Sequence, residues 1–211
     1  MGRLALQFAV LLALVAAATL LAHEVRDALD LQLRPSNEQM VHRTIMIGAA
    51  AYVVLLAFPF VPGAEIGLAL LATFGAAIAP LIYVCTVCSM MLAFALGRFV
   101  PLETLEALLR VLKLRKASAL VARAAPLSPE DRLKLLLEGS SRRALRLALR
   151  YRYLALALAV NTPGNSVIGG GGGIMMMAGL SGVFSPLATA LVVFLAVSPV
   201  PVAVYFFGLT I

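Results

Sequence analysis

The chain has 211 residues, of which 62% are hydrophobic and only 13% are charged, and its mean hydropathy is +1.00. A soluble domain carries about 25% charged residues and roughly half apolar ones, so this composition excludes that class. No Asp, Glu, Lys, Arg or His occurs from Tyr153 to Ile211. Several segments hold the ~20 apolar residues that a spanning helix needs, which predicts an all-α integral membrane protein.

The first 43 residues divide into an apolar and a polar segment. Residues 1–22 are predicted to form an N-terminal transmembrane anchor, because residues 4–22 are apolar and follow Arg3. A signal peptide is the alternative, but Leu20 stands where its cleavage site would need a small residue. Residues 23–43 are predicted to be a polar linker.

Residues 44–97 are predicted to form a re-entrant helical hairpin followed by a transmembrane helix. The apolar residues 44–60 lead to Pro62 and Gly63, which break a helix. The apolar remainder is too long for one span and too short for two. We therefore predict that the chain enters the membrane, turns at Pro-Gly, returns, and then crosses over about residues 77–97.

Residues 98–152 form a basic loop, with 13 of the 17 Lys and Arg against five acids. The positive-inside rule predicts that this loop is cytoplasmic. A second helix within it is predicted to be capped by Ser128 and to stop at Gly139. Four leucines at helical spacing predict a basic helix lying on the membrane surface: Leu102, Leu105, Leu109 and Leu112.

Arginines at the two ends of this loop are predicted to contact the membrane surface, where anionic lipid attracts them. This placement accounts for the net charge of +7 without nucleic-acid binding. The residues are Arg98, Arg142, Arg146, Arg150 and Arg152.

Residues 153–211 repeat the pattern of the first half. An apolar helix ends at Pro163 and Gly164, a glycine tract at 169–173 begins the return, and a final span covers about 185–208. This segment is therefore predicted to be a second re-entrant hairpin plus transmembrane helix. Counting the spans from a cytoplasmic N-terminus makes the two halves inverted repeats, which is a transporter architecture.

Glu65 is the only acidic residue between Glu38 and Glu103. Broken helices at membrane depth persist only where protein or water satisfies their backbone, so two facing breaks predict a polar cavity beside it. A charged side chain at the centre of a span costs roughly 2.5–3.5 kcal/mol on insertion scales. Two interpretations stay open: a proton- or cation-binding group in a transport path, and a cap for the return helix.

The predicted ion-coupling or substrate site comprises both Pro-Gly turns with their polar neighbours. The polar groups of the second turn either satisfy the backbone of that turn or line the site. Its members are Pro62, Gly63, Glu65, Asn161, Thr162, Pro163, Gly164 and Asn165.

No metal or cofactor is expected, because Cys85 and Cys88 lack a second cysteine pair or nearby His, Asp or Glu. Catalysis is not expected either, since the spans offer no acid and base pair.

An acid just after Pro62-Gly63, a Gly97-Arg98 span ending and a second turn at Pro163-Gly164 together resemble the DedA superfamily, also called the VTT or SNARE-associated type. The chain is also similar to the small multidrug export-like branch. The likeness covers roughly residues 44–100 and 140–211. It implies a multi-pass protein of the bacterial inner membrane that moves lipid carriers such as undecaprenyl phosphate or scrambles phospholipids, in some members with the proton motive force.

The family usually has an arginine on each side of its second Pro-Gly, where this chain has Val160-Asn161 and Asn165-Ser166. A phosphate deep in the cavity would want such a cation, so a neutral or cationic amphiphile fits the remaining groups better. The expected function is a secondary transporter or a lipid flippase or scramblase in contact with membrane lipids. The alternative is a non-transporting subunit or assembly factor that binds lipid, pigment or a partner complex, and a homo-oligomer is compatible with either.

Overall fold

The computed structural model describes residues 38–128, 131–132, 135, 150–162 and 164–207. The predicted anchor, most of the polar linker, and the predicted site residues Pro163, Arg142 and Arg146 lie outside these ranges. Within the ranges, every regular element is a helix and no strand occurs.

The helices follow one another in nine α-helical segments over the described residues. They are α1 (Glu38–Ala57), α2 (Gly63–Phe74), α3 (Ala79–Phe99), α4 (Leu102–Val111), α5 (Arg115–Ala124), α6 (Arg152–Asn161), α7 (Gly170–Ser181), α8 (Pro186–Val197) and α9 (Pro199–Phe207). Short 3-10 turns at Ala76–Ile78 and Asn165–Ile168 lie just before α3 and α7.

The chain leaves the helical conformation at both predicted turns. The first break, residues 58–62, separates α1 from α2, and Phe60 adopts a φ of 69° there. The second break lies between Asn161, the last residue of α6, and Gly170, the first residue of α7, and it turns at Gly164, with a φ of 73°. In the first break Pro59 cannot donate a helix hydrogen bond and Phe60 takes its positive φ without being a glycine, whereas in the second break Gly164 tolerates positive φ readily.

Two helical segments are long and apolar enough to cross a membrane, Ala76–Phe99 and Pro186–Phe207. Their 24 and 22 residues exceed a ~30 Å hydrocarbon core at a rise of about 1.5 Å per residue. Most of their residues are not buried against other described residues, unlike those of the core helices of a soluble protein. Leu187, for example, is 75% exposed and Phe206 is 74% exposed. The fold is thus compatible with an all-α membrane protein.

The central helix is α3, which packs against α1, α7, α8 and α9. It approaches α7 so closely that a Cβ at Gly97 would overlap the Met176 carbonyl, and a Cβ at Gly179 would overlap the Phe94 carbonyl. Small residues permit this approach between helix backbones. Gly97, at the predicted end of the span, lies two residues before the end of α3 at Phe99 and sits at the helix crossing.

The predicted helix over Leu102 to Leu112 is present, but its apolar face is covered by protein. Helix α4 ends at Val111, Lys113 takes a φ of 59°, and a separate helix, α5, follows. Leu105 and Leu109 are fully buried in the main core together with residues of α3 and α5, so this face does not lie free on a membrane. Helical spacing revealed an apolar face, but it could not reveal what covers that face.

The cap predicted at Ser128 is confirmed, since its Oγ accepts a hydrogen bond from the Asp131 backbone N–H at 3.3 Å. The residues that would complete this helix, including the predicted stop at Gly139, lie outside the described part of the chain.

Candidate functional site

The two breaks contact each other directly. The Phe60 N–H, in the first break, donates a hydrogen bond to the Gly169 carbonyl, in the second, at 2.6 Å. In the first turn of α7, Gly172 lies so near the Leu56 carbonyl that a Cβ would overlap it. The glycine tract therefore allows backbone to pack on backbone where both halves of the chain are interrupted.

A cavity of about 330 Å³ lies beside this contact. Its walls come from α1, α2, α3, the second break, α7 and the final span. Five predicted site residues line it, namely Gly63, Glu65, Asn161, Thr162 and Asn165. Pro62 precedes the first residue of α2 and Gly164 turns the second break, so these two shape the site without lining it.

Glu65 is the third residue of α2 and is only 5% exposed. Its Oε2 is buried and accepts no hydrogen bond from any described residue. The carboxylate lies near the positive end of the α2 dipole, an effect typically worth about 0.3–1 kcal/mol. Its Oε2 accepts no hydrogen bond from the N–H groups of that helix end, so this oxygen does not act as a cap.

The polar side chains of the second break bond to backbone near the turn and also line the cavity, so they have both of the roles that the sequence left open. The Asn165 amide nitrogen donates to the Val160 carbonyl at 2.7 Å, and the Thr162 hydroxyl donates to the Leu158 carbonyl at 2.8 Å. A carbonyl can only accept, so these contacts fix the Asn165 nitrogen toward the backbone. Asn165 is also one of the residues that line the cavity.

Asn161 joins the second break to the final span. Its amide nitrogen donates to the carbonyls of Ala157 and Ala196, both at 2.9 Å. The final span is interrupted there, because Pro199 has no N–H for the Leu195 carbonyl, and the Ser198 hydroxyl donates to that carbonyl instead at 2.9 Å.

The proline-containing kink of the final span also forms one wall of the cavity, through Val197, Val200 and Pro201. The sequence-based prediction missed this wall, although two closely spaced prolines inside an apolar span were a signal for it.

A polar pair from α1 and α3, which also lines the cavity, was not predicted from the sequence either. The hydroxyl groups of Tyr52 on α1 and Thr86 on α3 are 3.1 Å apart, and Thr86 donates to the Ile82 carbonyl at 2.7 Å. A Cβ at Gly67 would come within 3.1 Å of the Tyr52 hydroxyl, so the ring is held against α2. These residues are too far apart in sequence for periodicity to have paired them.

The described arginines lie away from the cavity. Arg98 is exposed at the end of α3, and Arg150 and Arg152 each sit over a neighbouring tyrosine ring at 5.4 Å. Arg132 donates to backbone carbonyls that include Ala124 and Leu180, and it thereby ties α5 to the end of α7. Among the described lining residues, none is Lys, Arg or His.

The two cysteines differ in exposure. Cys85 is buried, Cys88 is exposed, and both thiols are free. Met175 and Met176 are core residues. The described residues contain no group of three His, Cys, Asp or Glu that could hold a metal ion.

The chain matches no protein-family model, no curated protein and no solved structure. The chemistry of the cavity itself must therefore carry the functional interpretation.

Proposed function

We propose that the protein is a multi-pass transporter or scramblase of the bacterial inner membrane, of the DedA-like type, and that an amphiphilic substrate crosses through the cavity between the two breaks. One observation carries this proposal. A buried carboxylate without a hydrogen-bond partner at Oε2 lies in a cavity at the contact of two interrupted helices. Ionisable residues within membrane segments are costly and typically mark substrate or ion pathways.

The membrane placement is part of the proposal. In it, Ala76–Phe99 and Pro186–Phe207 cross the bilayer, and the paired helices α1–α2 and α6–α7 enter from opposite faces as re-entrant hairpins. The basic loop 98–152 is cytoplasmic in this arrangement. The uncovered apolar side chains of both spans support it, because lipid is the environment in which they cost least.

The cavity has the chemistry that an amphiphile needs. Glu65 and Asn165 supply polar groups, and the aliphatic side chains of Leu68, Leu71 and Val200 line the same space. A polar end can therefore be bound while an apolar tail follows the aliphatic walls. Interrupted helices around a central site also provide elements whose movement can open it to either face of the membrane.

Glu65 is the proposed ion-coupling group. With no basic partner among the described residues, its charge must be balanced by a proton or by the bound substrate. Exchange of one for the other would couple substrate movement to proton movement.

Replacing Glu65 with Gln tests the proposal. The isosteric amide removes the charge with little change of shape, so we expect substrate flux into proteoliposomes to fall at least tenfold. The substrates to compare are labelled polyprenyl phosphate, phospholipid and a cationic drug. Glu103→Gln is the matched control, because Glu103 is exposed in α4 and should leave flux unchanged.

Equal flux of every substrate through folded wild-type and Glu65→Gln protein would contradict the proposal. If growth and flux were unchanged while a co-purifying complex came apart, the protein would instead be a non-transporting subunit.

A further inference from the structure

We infer that the substrate is a hydrophobic organic cation, such as a bulky amine or a quaternary ammonium or phosphonium ion, and that Glu65 binds its charged centre. This inference rests on the proposed transport function and specifies the class of molecule that enters the cavity. It departs from the lipid phosphates implied by the family resemblance.

The charge of the cavity favours a cationic ligand. Glu65 is the one carboxylate among the described lining residues, and those residues include no Lys, Arg or His. A buried ionised carboxylate needs a partner, because desolvation without one is strongly unfavourable. A cationic ligand supplies that partner, whereas a phosphate would meet a like charge with no arginine among the described lining residues to bind it.

The lining is poorly suited to a divalent metal ion. Calcium takes six to eight oxygen ligands and magnesium requires near-octahedral oxygen coordination. Glu65 is the one carboxylate among the described lining residues, and the described residues contain no group of three His, Cys, Asp or Glu that could hold a metal ion. A cation that needs one counter-charge and otherwise apolar contacts fits this lining better.

The remaining walls of the cavity favour a ligand that is mostly hydrophobic. The cavity of about 330 Å³ is lined mainly by aliphatic side chains from α1, α2, α3 and the final span. The aromatic ring of Tyr52 is a further part of the lining, and such rings attract organic cations. The cavity thus combines one buried negative charge with apolar contacts, which matches a hydrophobic cation.

Two ions of nearly the same shape and opposite charge test this inference. Labelled tetraphenylphosphonium is expected to bind the full-length protein in neutral detergent saturably, as measured by equilibrium dialysis. Binding should weaken at least tenfold in Glu65→Gln and stay unchanged in Glu103→Gln. Tetraphenylborate should not compete. Competition by tetraphenylborate as strong as that of unlabelled tetraphenylphosphonium, or full binding by Glu65→Gln, would overturn the inference.

A chemical measurement on the unaltered protein guards against a variant that fails to fold. Dicyclohexylcarbodiimide modifies carboxyl groups in apolar surroundings, and mass spectrometry of the modified peptide would identify Glu65. Tetraphenylphosphonium is expected to protect Glu65 from modification, and tetraphenylborate is not. Equal protection by both ions, or by neither, would count against a cation site.

These results are separable from the flux experiment. Charge-selective binding at Glu65 without movement of any substrate would uphold the cation site and refute transport. Glu65-dependent flux of phospholipid without binding of tetraphenylphosphonium would uphold transport and refute the substrate class.

Discussion

Gly179→Ala is expected to destabilise the folded protein by about 1–3 kcal/mol, the usual cost of overpacking a well-packed interface. The added Cβ would overlap the Phe94 carbonyl and lie 2.9 Å from the Arg98 backbone nitrogen. Both obstacles are backbone atoms, so a side-chain rotation cannot relieve the contact and α7 must move away from α3. Unfolding of the purified protein by heat or by denaturing detergent measures the change.

Gly48→Ala is the matched control for this prediction. Gly48 lies in α1, and an added methyl group there would have no neighbouring atom within 4 Å among the described residues. Alanine also favours helix over glycine by about 1 kcal/mol. This control is expected to be as stable as the parent or more stable. If Gly179→Ala were as stable as Gly48→Ala, the close approach of α3 and α7 would not be present in the folded protein.

Gly172→Ala is expected to lower flux at least tenfold, because it forces the two breaks apart. Its Cβ would overlap the Leu56 carbonyl and lie 2.9 Å from the Ala57 carbonyl carbon and oxygen. Displacing the end of α1 would also strain the 2.6 Å hydrogen bond from Phe60 to Gly169. Flux in proteoliposomes, normalised to folded protein, is the measurement.

Gly171→Ala is the matched control for Gly172→Ala. It separates the effect of disturbing the contact between α7 and the end of α1 from the effect of adding a methyl group to the cavity. Gly171 and Gly172 both line the cavity, so each variant places one methyl group there or beside it. The Cβ of Gly171→Ala would meet only the Met90 methyl at 2.8 Å, and that flexible side chain can rotate away. We expect flux close to that of the parent. Equal flux through both variants would contradict a role for contact between the breaks.

Local signals account for what could be predicted of this fold. Pro59 and Pro62, in the first break, lack the N–H that a continuing helix needs, and Gly164 takes a positive φ in the second, so both breaks were visible in the sequence. A lone carboxylate in a long apolar stretch also stands out because of its burial cost, and Glu65 does line the cavity.

Contacts between distant segments account for what was missed. The turn at Lys113 uses positive φ in a residue that is not glycine, so no local signal separated α4 from α5. The bond from Asn161 to the Ala196 carbonyl depends on where the final span is interrupted. The burial of Leu105 depends on helices that cover it from other parts of the chain. Periodicity describes one helix at a time and holds none of this information.

Thiol accessibility at the two breaks tests the central claim most directly. Ala64→Cys and Thr162→Cys, each lining the cavity, would be made singly in a chain carrying Cys85→Ala and Cys88→Ala. Leu191→Cys, on the uncovered apolar face of α8, is the control. Because both positions line one cavity, the account predicts that a membrane-impermeant maleimide labels Ala64→Cys and Thr162→Cys alike in sealed vesicles and leaves Leu191→Cys unlabelled. Labelling of neither break position, or labelling of Leu191→Cys as strong as theirs, would contradict it.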